Sequence, residues 1–403
     1  MKQIEGGVCA AKGYKAAGIY CGIRKNKSKK DLALIVSETK AACACVYTQN
    51  LVQGAPIAVT KANVSDGYAS AILCNSGNAN TCNVNGVEIA QKMCELLGVA
   101  LGIPASDVVV ASTGVIGKPL DIDPIASGIS PLVAALGNDS NAAAEAIMTT
   151  DVKKKEIAFE FTLGSKTCHI GGICKGSGMI QPNMATMLGF VTTDAAISPA
   201  MLQKALSEDV PNSFNMVSID GDTSTNDMVT LLANGMAGNK PITEANEDFN
   251  VFKAALSAVT QYLSRSIAGD GEGATKLITC LLKGAKDHAS AVMLSKSVIN
   301  SPLVKCAMFG ADANWGRVLC ALGYAGVALD VHQIGVTFSS AAGSVEVCRY
   351  GTGVTFSEEL AKKVLSESEI NIEISLKEGD ASATTYGCDL TYDYVKINGD
   401  YRT

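Results

Sequence analysis

Two periodicities alternate along this sequence, and no fold built on only one of them can accommodate it. Residues 86–102, GVEIAQKMCELLGVALG, place Ile89, Met93, Leu96 and Leu97 on one face of a helix. Helical spacing returns at 140–148 (SNAAAEAIM), 198–210 (SPAMLQKALSEDV) and 248–270 (DFNVFKAALSAVTQYLSRSIAGD). Between these lie β-rich runs. DLALIVSE (31–38) and ACACVYT (42–48), set off by polar turns, read as a sheet built from hairpins, and EIAFEFTLG and TCHIGGI show strand alternation. The expected class is therefore mixed α/β. At 403 residues the chain is long enough for two or three packed units. After about residue 285 a helix-like ASAVMLSKSVINS precedes strand-like KCAMFGA, GVTFSS, SVEVCRY, NIEISL and DLTYDYVKIN, which suggests a second α/β unit with a soft boundary near 280.

Charge and cysteine usage remove several classes of function. With 33 basic and 39 acidic residues the net charge is −6, so no strong positive field exists to gather nucleic acid or anionic lipid. The segment RKNKSKK (24–30) is a local exception with five basic residues in seven; it reads as a solvated hairpin loop, with a phosphate-binding patch as the alternative. The 14 cysteines are scattered and many sit inside apolar runs, as Cys43 and Cys45 do, which points to reduced core residues. No C-x-x-C pair occurs and there are only 3 histidines, so no metal is expected. The first twenty residues lack an apolar signal core and no apolar run approaches a membrane span; a cytoplasmic protein is the expectation.

Polar and glycine-rich residues gather in six islands: CNSGNANTC (74–82), ASTGVIG (111–117), KGSGMIQPNMATML (175–188), SIDGDTSTND (218–227), GDGEGAT (269–275) and FGADANWGR (309–317). Any one of them could be no more than a turn cluster. Gly176-Ser-Gly178 fails as a dinucleotide loop because Gln181 stands where the third glycine belongs. GDGEGATK has its glycines in the wrong order for a P-loop, and the run from Asp220 lacks the Gly and Glu of a calcium loop. His169, His288 and His332 lie outside every island, which argues against a histidine-based triad. A threonine freed at a chain N-terminus escapes this objection, because its own α-amine can serve as the base.

The segment KGSGMIQPNMATMLGFVTTDA (175–195) closely resembles the signature of the ornithine acetyltransferase (glutamate N-acetyltransferase) family. NSGNAN (75–80), STG (112–114), DGDTSTND (220–227), GEGATK (271–276), GADANWGR (310–317) and NGDYRT (398–403) are similar to further family segments, so the resemblance spans essentially the whole chain. It implies self-cleavage between Ala185 and Thr186, with Thr186 then acting as nucleophile and Thr113 and Gly114 forming the oxyanion hole. Substrate contacts implied in the same way are Lys175, Thr186, Glu272, Asn398, Thr403 and Thr149, with Thr150 as the close alternative to the last. Asp220, Asp222, Asn226 and Asp227 are left between loop ordering and plain turn formation.

The implied reaction moves acetyl from N2-acetylornithine to glutamate through an acetyl-Thr186 ester, in arginine biosynthesis, without a cofactor. Acetyl-CoA is a possible second donor. The implied fold is an αββα sandwich completed by a C-terminal α/β domain. Residues 1–185 form an alpha chain and 186–403 a beta chain, of which about 186–284 completes the core and about 285–403 forms the last domain. Two of each fragment are expected to assemble. The rival readings are an amidase or aminopeptidase of the related self-cleaving fold, and a non-catalytic ligand-binding protein.

Overall fold

The computed structural model describes residues 1–181 and 187–400. In the first unit the strands are β1 (Lys2–Ile4), β2 (Tyr14–Ile19), β3 (Leu32–Tyr47), β4 (Tyr68–Asn78), β5 (Val108–Val115), β6 (Lys155–Leu163), β7 (Lys166–Lys175), β8 (Leu188–Thr193) and β9 (Met228–Ala233). They run β1-β6-β7-β8-β9-β3-β4-β5 across one sheet, with β2 on the remaining edge of β3. The helices are α1 (Ala55–Asn63), α2 (Gly86–Leu101), α3 (Asp123–Ala134), α4 (Asn141–Ile147), α5 (Pro199–Asp209) and α6 (Glu247–Ala268).

Strand β3 turns this one sheet into two layers. Its residues 32–36 pair with β2 and β4, residues 42–47 pair with β9, and the register against β4 shifts between Val36 and Ala41. The two apolar runs expected to be separate hairpin strands are thus one strand passing from one layer to the other. Glu38, Thr39 and Lys40 at the join are exposed yet extended, which is why they read as a turn.

Alternation along the strands shows how the layers stack. Ala33, Ile35, Ile72, Cys74 and Val109 face Ile173, Leu188, Phe190 and Met228 across the space between the two sheet layers. On the outer face of one layer, Leu34, Leu73 and Val110 pack with Met93 and Leu97 of α2 and Ile125 and Ile129 of α3. On the outer face of the other, Ile170, Val191 and Leu231 pack with Leu202 and Leu206 of α5 and Phe252, Leu256 and Val259 of α6. The result is the αββα sandwich that the resemblance implied. Strands covered on both faces must be apolar on both, hence runs such as VVVA (108–111). The two long helices covering the second layer begin at recognisable stops: Ser198 accepts from Met201 N ahead of Pro199, and Asn246 accepts from Phe249 N ahead of Glu247 and Asp248.

The second unit has strands β10 (Leu277–Ala285), β11 (Gly335–Ser340), β12 (Gly343–Arg349), β13 (Thr352–Gly353), β14 (Glu369–Ser375) and β15 (Ala381–Cys388), in the order β13-β12-β11-β14-β10-β15. Its helices are α7 (His288–Asn300), α8 (Pro302–Gly310), α9 (Trp315–Gly323) and α10 (Glu358–Leu365), and α11 (Tyr392–Gly399) follows the last strand. The sheet therefore takes β10 from residues ahead of a division at 285. Two of the strand-like segments are helices. KCAMFGA lies in α8, where Val304, Ala307 and Met308 are buried at helical spacing behind a Ser301 cap and Pro302. DLTYDYVKIN runs into α11, which leaves the second unit and returns to the first: Tyr394 OH donates to Asp220 Oδ2 at 3.1 Å.

Candidate active site

Strands β4 and β5 are parallel and end side by side at Gly77 and Gly114. Gly114 has φ 131°, and a Cβ there would lie 2.4 Å from the Gly77 carbonyl carbon, so no other residue fits without moving β4. This close approach sets the STG island at a largely buried strand end, with Thr113 on it. Lys175, the last residue of β7, is 8% exposed, and its Nζ donates to Thr113 Oγ1 at 3.3 Å.

A buried charge cluster fixes Lys175 from behind. Asp151 Oδ1 accepts from Lys155 Nζ at 2.7 Å and from Gly176 N at 2.8 Å, while its Oδ2 accepts from Thr149 N at 2.9 Å. Lys155 Nζ also donates to Asp270 Oδ2 at 2.5 Å. Burial by itself would push the Asp151 carboxyl up, but the Lys155 and Lys175 ammonium groups outweigh it and hold the group well below the usual carboxylate range. Burial opposes the charge on Lys155 too, and Asp151 and Asp270 override it and raise its pKa. Asp151 thereby ties the Thr149 and Lys175 segments into one block. None of Asp151, Lys155 and Asp270 stood out in the sequence as a site residue. Asp270 lies in a polar island, but a buried lysine on a strand gives no local signal.

Residues 182–186 lie outside the described residues, and with them Ala185 and Thr186; so does Thr403. The chain on both sides of 182–186 is anchored. Before it, Asp220 accepts from Met179 N at 2.6 Å and Ile180 N at 2.8 Å, and Gln181 N donates to Asp222 O at 2.9 Å. After it, Met187 O accepts from Met228 N at 2.9 Å. Asp220 is thus a loop-ordering residue. So is Asn226, whose Oδ1 accepts from Thr81 and Thr225 and whose Nδ2 donates to Ala79 O at 2.6 Å and Ser112 O at 3.0 Å, fastening the ends of β4 and β5 together.

Asp227 behaves otherwise. It is buried beside Thr113, Lys175 and Met187 in a small cavity, and its Oδ2 has no hydrogen-bond partner among the described residues. Burial pushes its carboxyl well up, and the opposing pull of Ser224 and Lys175 does not offset this.

From the second unit's end, Asn398 on α11 donates to Glu272 Oε2 at 2.7 Å. Glu272 is largely buried, its carboxylate packed where a Cβ on Gly178 would stand. One cleft of about 110 Å³ collects Thr113, Gly114, Lys175, Glu272 and Asn398. Thr149 and Thr150 both line it as well, so both threonines of the MTTD run adjoin the same space. These residues come from five separate stretches of sequence, and no histidine lines the cleft among the described residues. Among those residues there is also no group of three or more His, Cys, Asp or Glu side chains that could hold a metal ion.

The match to known proteins covers this whole arrangement. The model of the ArgJ family matches residues 15–403. The chain belongs to the ArgJ family. This is the ornithine acetyltransferase family whose motifs the sequence carries. The arginine biosynthesis bifunctional protein ArgJ of Symbiobacterium thermophilum is 49% identical over 406 residues, covering 100% of both chains. That of Bacillus subtilis is 46% identical over 403 residues, covering 100% of this chain and 98% of its own. A crystal structure of the ArgJ protein from Bacillus halodurans is 43% identical with a TM-score of 0.51, covering 54% of this chain and 100% of that one. No helix among the described residues is long and apolar enough to cross a membrane.

Proposed function

We propose that this ArgJ protein cuts itself between Ala185 and Thr186 and then transfers acetyl from N2-acetylornithine to glutamate through an ester on Thr186. The observation that carries this reading is the convergence of Thr113, Gly114, Thr149, Lys175, Glu272 and Asn398 around one cleft, between the anchored flanks of residues 182–186. The solved Bacillus halodurans chain supports the cut as well: all of it is accounted for by 54% of this sequence, the share that 186–403 represents.

In the precursor the Thr186 hydroxyl attacks the Ala185 carbonyl, and water opens the resulting ester, leaving a free α-amine on Thr186. With an ordinary pKa of about 7.7–8.0, that amine takes the hydroxyl proton as Oγ attacks the acetyl carbonyl of acetylornithine. In this reading Thr113 and Gly114 supply the donors to the developing oxyanion, and the β4–β5 ladder that holds both supports it, since donors fixed in this way need no reorganisation. Ornithine leaves, the glutamate amine attacks the acetyl ester, and N-acetylglutamate departs. Lys175 suits a substrate carboxylate and Glu272 a side-chain ammonium.

Acetyl-CoA serves as a second donor to the same threonine. The two fragments stay paired, and by family resemblance two of each form the working assembly. The buried free thiols suit a reducing compartment, the cytoplasm. Intact mass followed by an assay of acetylornithine with and without glutamate tests the whole reading. Two fragments and glutamate-dependent transfer are expected; active protein in one uncut chain, or plain hydrolysis of acetylornithine, would overturn it.

A further inference from the structure

The transfer cycle takes the α-amine of Thr186 as its base, but that amine exists only after the cut. In the uncut chain the same atom is a peptide nitrogen, its lone pair delocalised into the carbonyl, so maturation needs a proton acceptor of its own. Most acids around the cleft are engaged elsewhere. Asp151 has both oxygens occupied, one by Lys155 Nζ and Gly176 N and the other by Thr149 N. Asp220 holds Met179 N, Ile180 N and the Tyr394 hydroxyl, and Glu272 holds Asn398. Asp270 has one oxygen without a partner, yet it borders neither the cleft nor the small cavity beside Met187.

Asp227 differs in place and in bonding. It immediately precedes β9, where its backbone carbonyl accepts from Thr48 N at 3.0 Å, and its side chain borders a cavity of about 20 Å³ shared with Thr113, Lys175, Ser224 and Met187. Met187 is bonded to Thr186, and it borders this cavity but not the cleft. Asp227 is 3% exposed, and its Oδ2 has no hydrogen-bond partner among the described residues. A polar space of this size admits one water.

We propose that Asp227 is the acid–base group of self-cleavage. This rests on the reading that Thr186 attacks the Ala185 carbonyl. The Asp227 carboxylate takes the hydroxyl proton as Oγ bonds to the carbonyl carbon, and returns it to the Thr186 nitrogen as the C–N bond breaks. The product is an ester with a free amine, and the carboxylate is restored. A water admitted to the cavity then adds to the ester carbonyl. Asp227 takes its proton and hands it to Oγ as the C–O bond breaks, leaving the Ala185 carboxyl and the Thr186 hydroxyl. From that point the new amine is the base. Burial raises the affinity of Asp227 for a proton, which makes its carboxylate a stronger base than an exposed one. The Lys175 ammonium, the one other titratable side chain bordering the cavity among the described residues, stabilises the ionised form.

The test follows the cut itself on denaturing gels from the time of synthesis, so that transfer activity plays no part. Asp227→Asn keeps the shape and removes the base; cleavage should slow by about 10²–10⁴-fold in a chain that still melts cooperatively. Asp227→Ala should be equally slow. Formate, which can occupy the space left by the missing carboxyl, should speed that variant by roughly tenfold or more, while chloride at the same ionic strength should not. A residue that only shaped the loop would not answer to an added base. An Asn variant that cuts at the wild-type rate overturns the assignment, and so does a folded Ala variant that formate leaves unchanged. Should neither variant fold, the wild-type chain decides: cleavage that speeds up as pH rises from about 4 to 8, through the raised pKa, upholds the acid–base role, and a flat profile overturns it. A wild-type chain that never cuts would instead bring down the function on which the proposal rests.

Discussion

The two units bury their interiors differently. In the second, the space between its sheet and helices is filled mainly by side chains such as Leu294, Val318, Phe338 and Ile372. In the first, three such apolar layers coexist with Asp151, Lys155, Lys175, Asp227, Asp270 and Glu272 gathered near the strand ends, all of them buried. Charges are costly to desolvate, so a fold seeking only stability would do as well with hydrocarbon. The contrast separates a unit shaped by packing from one whose packing is interrupted to hold charged groups around a cleft.

Substitutions should divide along the same line. The largest effect is expected from Thr186→Ala, which should leave one 403-residue chain with no measurable transfer; two fragments on a denaturing gel would remove the basis for the assigned nucleophile. Lys155→Met should come next, because it leaves Asp151 and Asp270 buried together without their shared cation. A loss of about 3–5 kcal/mol in urea unfolding is expected, and a protein of unchanged stability would show the cluster to be dispensable. Thr113→Val keeps the volume and should cost about 10²–10³ in kcat with little change in melting temperature. Ile372→Val in the second core should do the reverse, lowering stability by about 1 kcal/mol with kcat unaltered.

The smallest and sharpest test uses pH. Asp151, with its folded pKa depressed, contributes stability that is present above its unfolded value of about 3.9 and is lost as pH falls through the folded value. Asp227, with its folded pKa raised, has the opposite sign: its contribution is full below about pH 3.9 and is lost as pH rises toward the folded value. Asp227→Asn should therefore flatten the decline on the neutral side of the stability profile and leave the acid limb in place. Urea midpoints measured across pH would show it.

Much of the site was legible because its residues cluster in sequence. Islands 74–82, 111–117, 175–188, 218–227 and 269–275 each contribute to the cleft or to the cavities and loops around it. Their convergence was not legible from any single island, since it is made by the β4–β5 and β7–β8 pairings over long sequence separations. The supporting cluster was hidden for a related reason: Lys155 sits on a strand and becomes informative only when Asp270 arrives from more than a hundred residues away. Helix and strand type failed where apolar runs were short. Ser301-Pro302 was a helix-start signal ahead of KCAMFGA, and aromatic and branched residues in 389–398 imitated a strand. The role of β3 escaped because exposed polar residues normally end a strand, whereas Glu38–Lys40 lie where it crosses between layers.

The position of β8 and β9 would have a consequence for the life of the protein after the proposed cut. Both strands follow residue 186, yet they are sandwiched between β7 and β3, which precede it. Neither product of such a cut could leave without unzipping hydrogen-bonded ladders on both sides, so it would free an amine and release nothing. Once denatured, however, the halves would share no covalent link, and recovery would become an encounter between two polypeptides whose success depends on how concentrated they are. Maturation would thus convert a chain able to refold alone into a pair that must be kept folded.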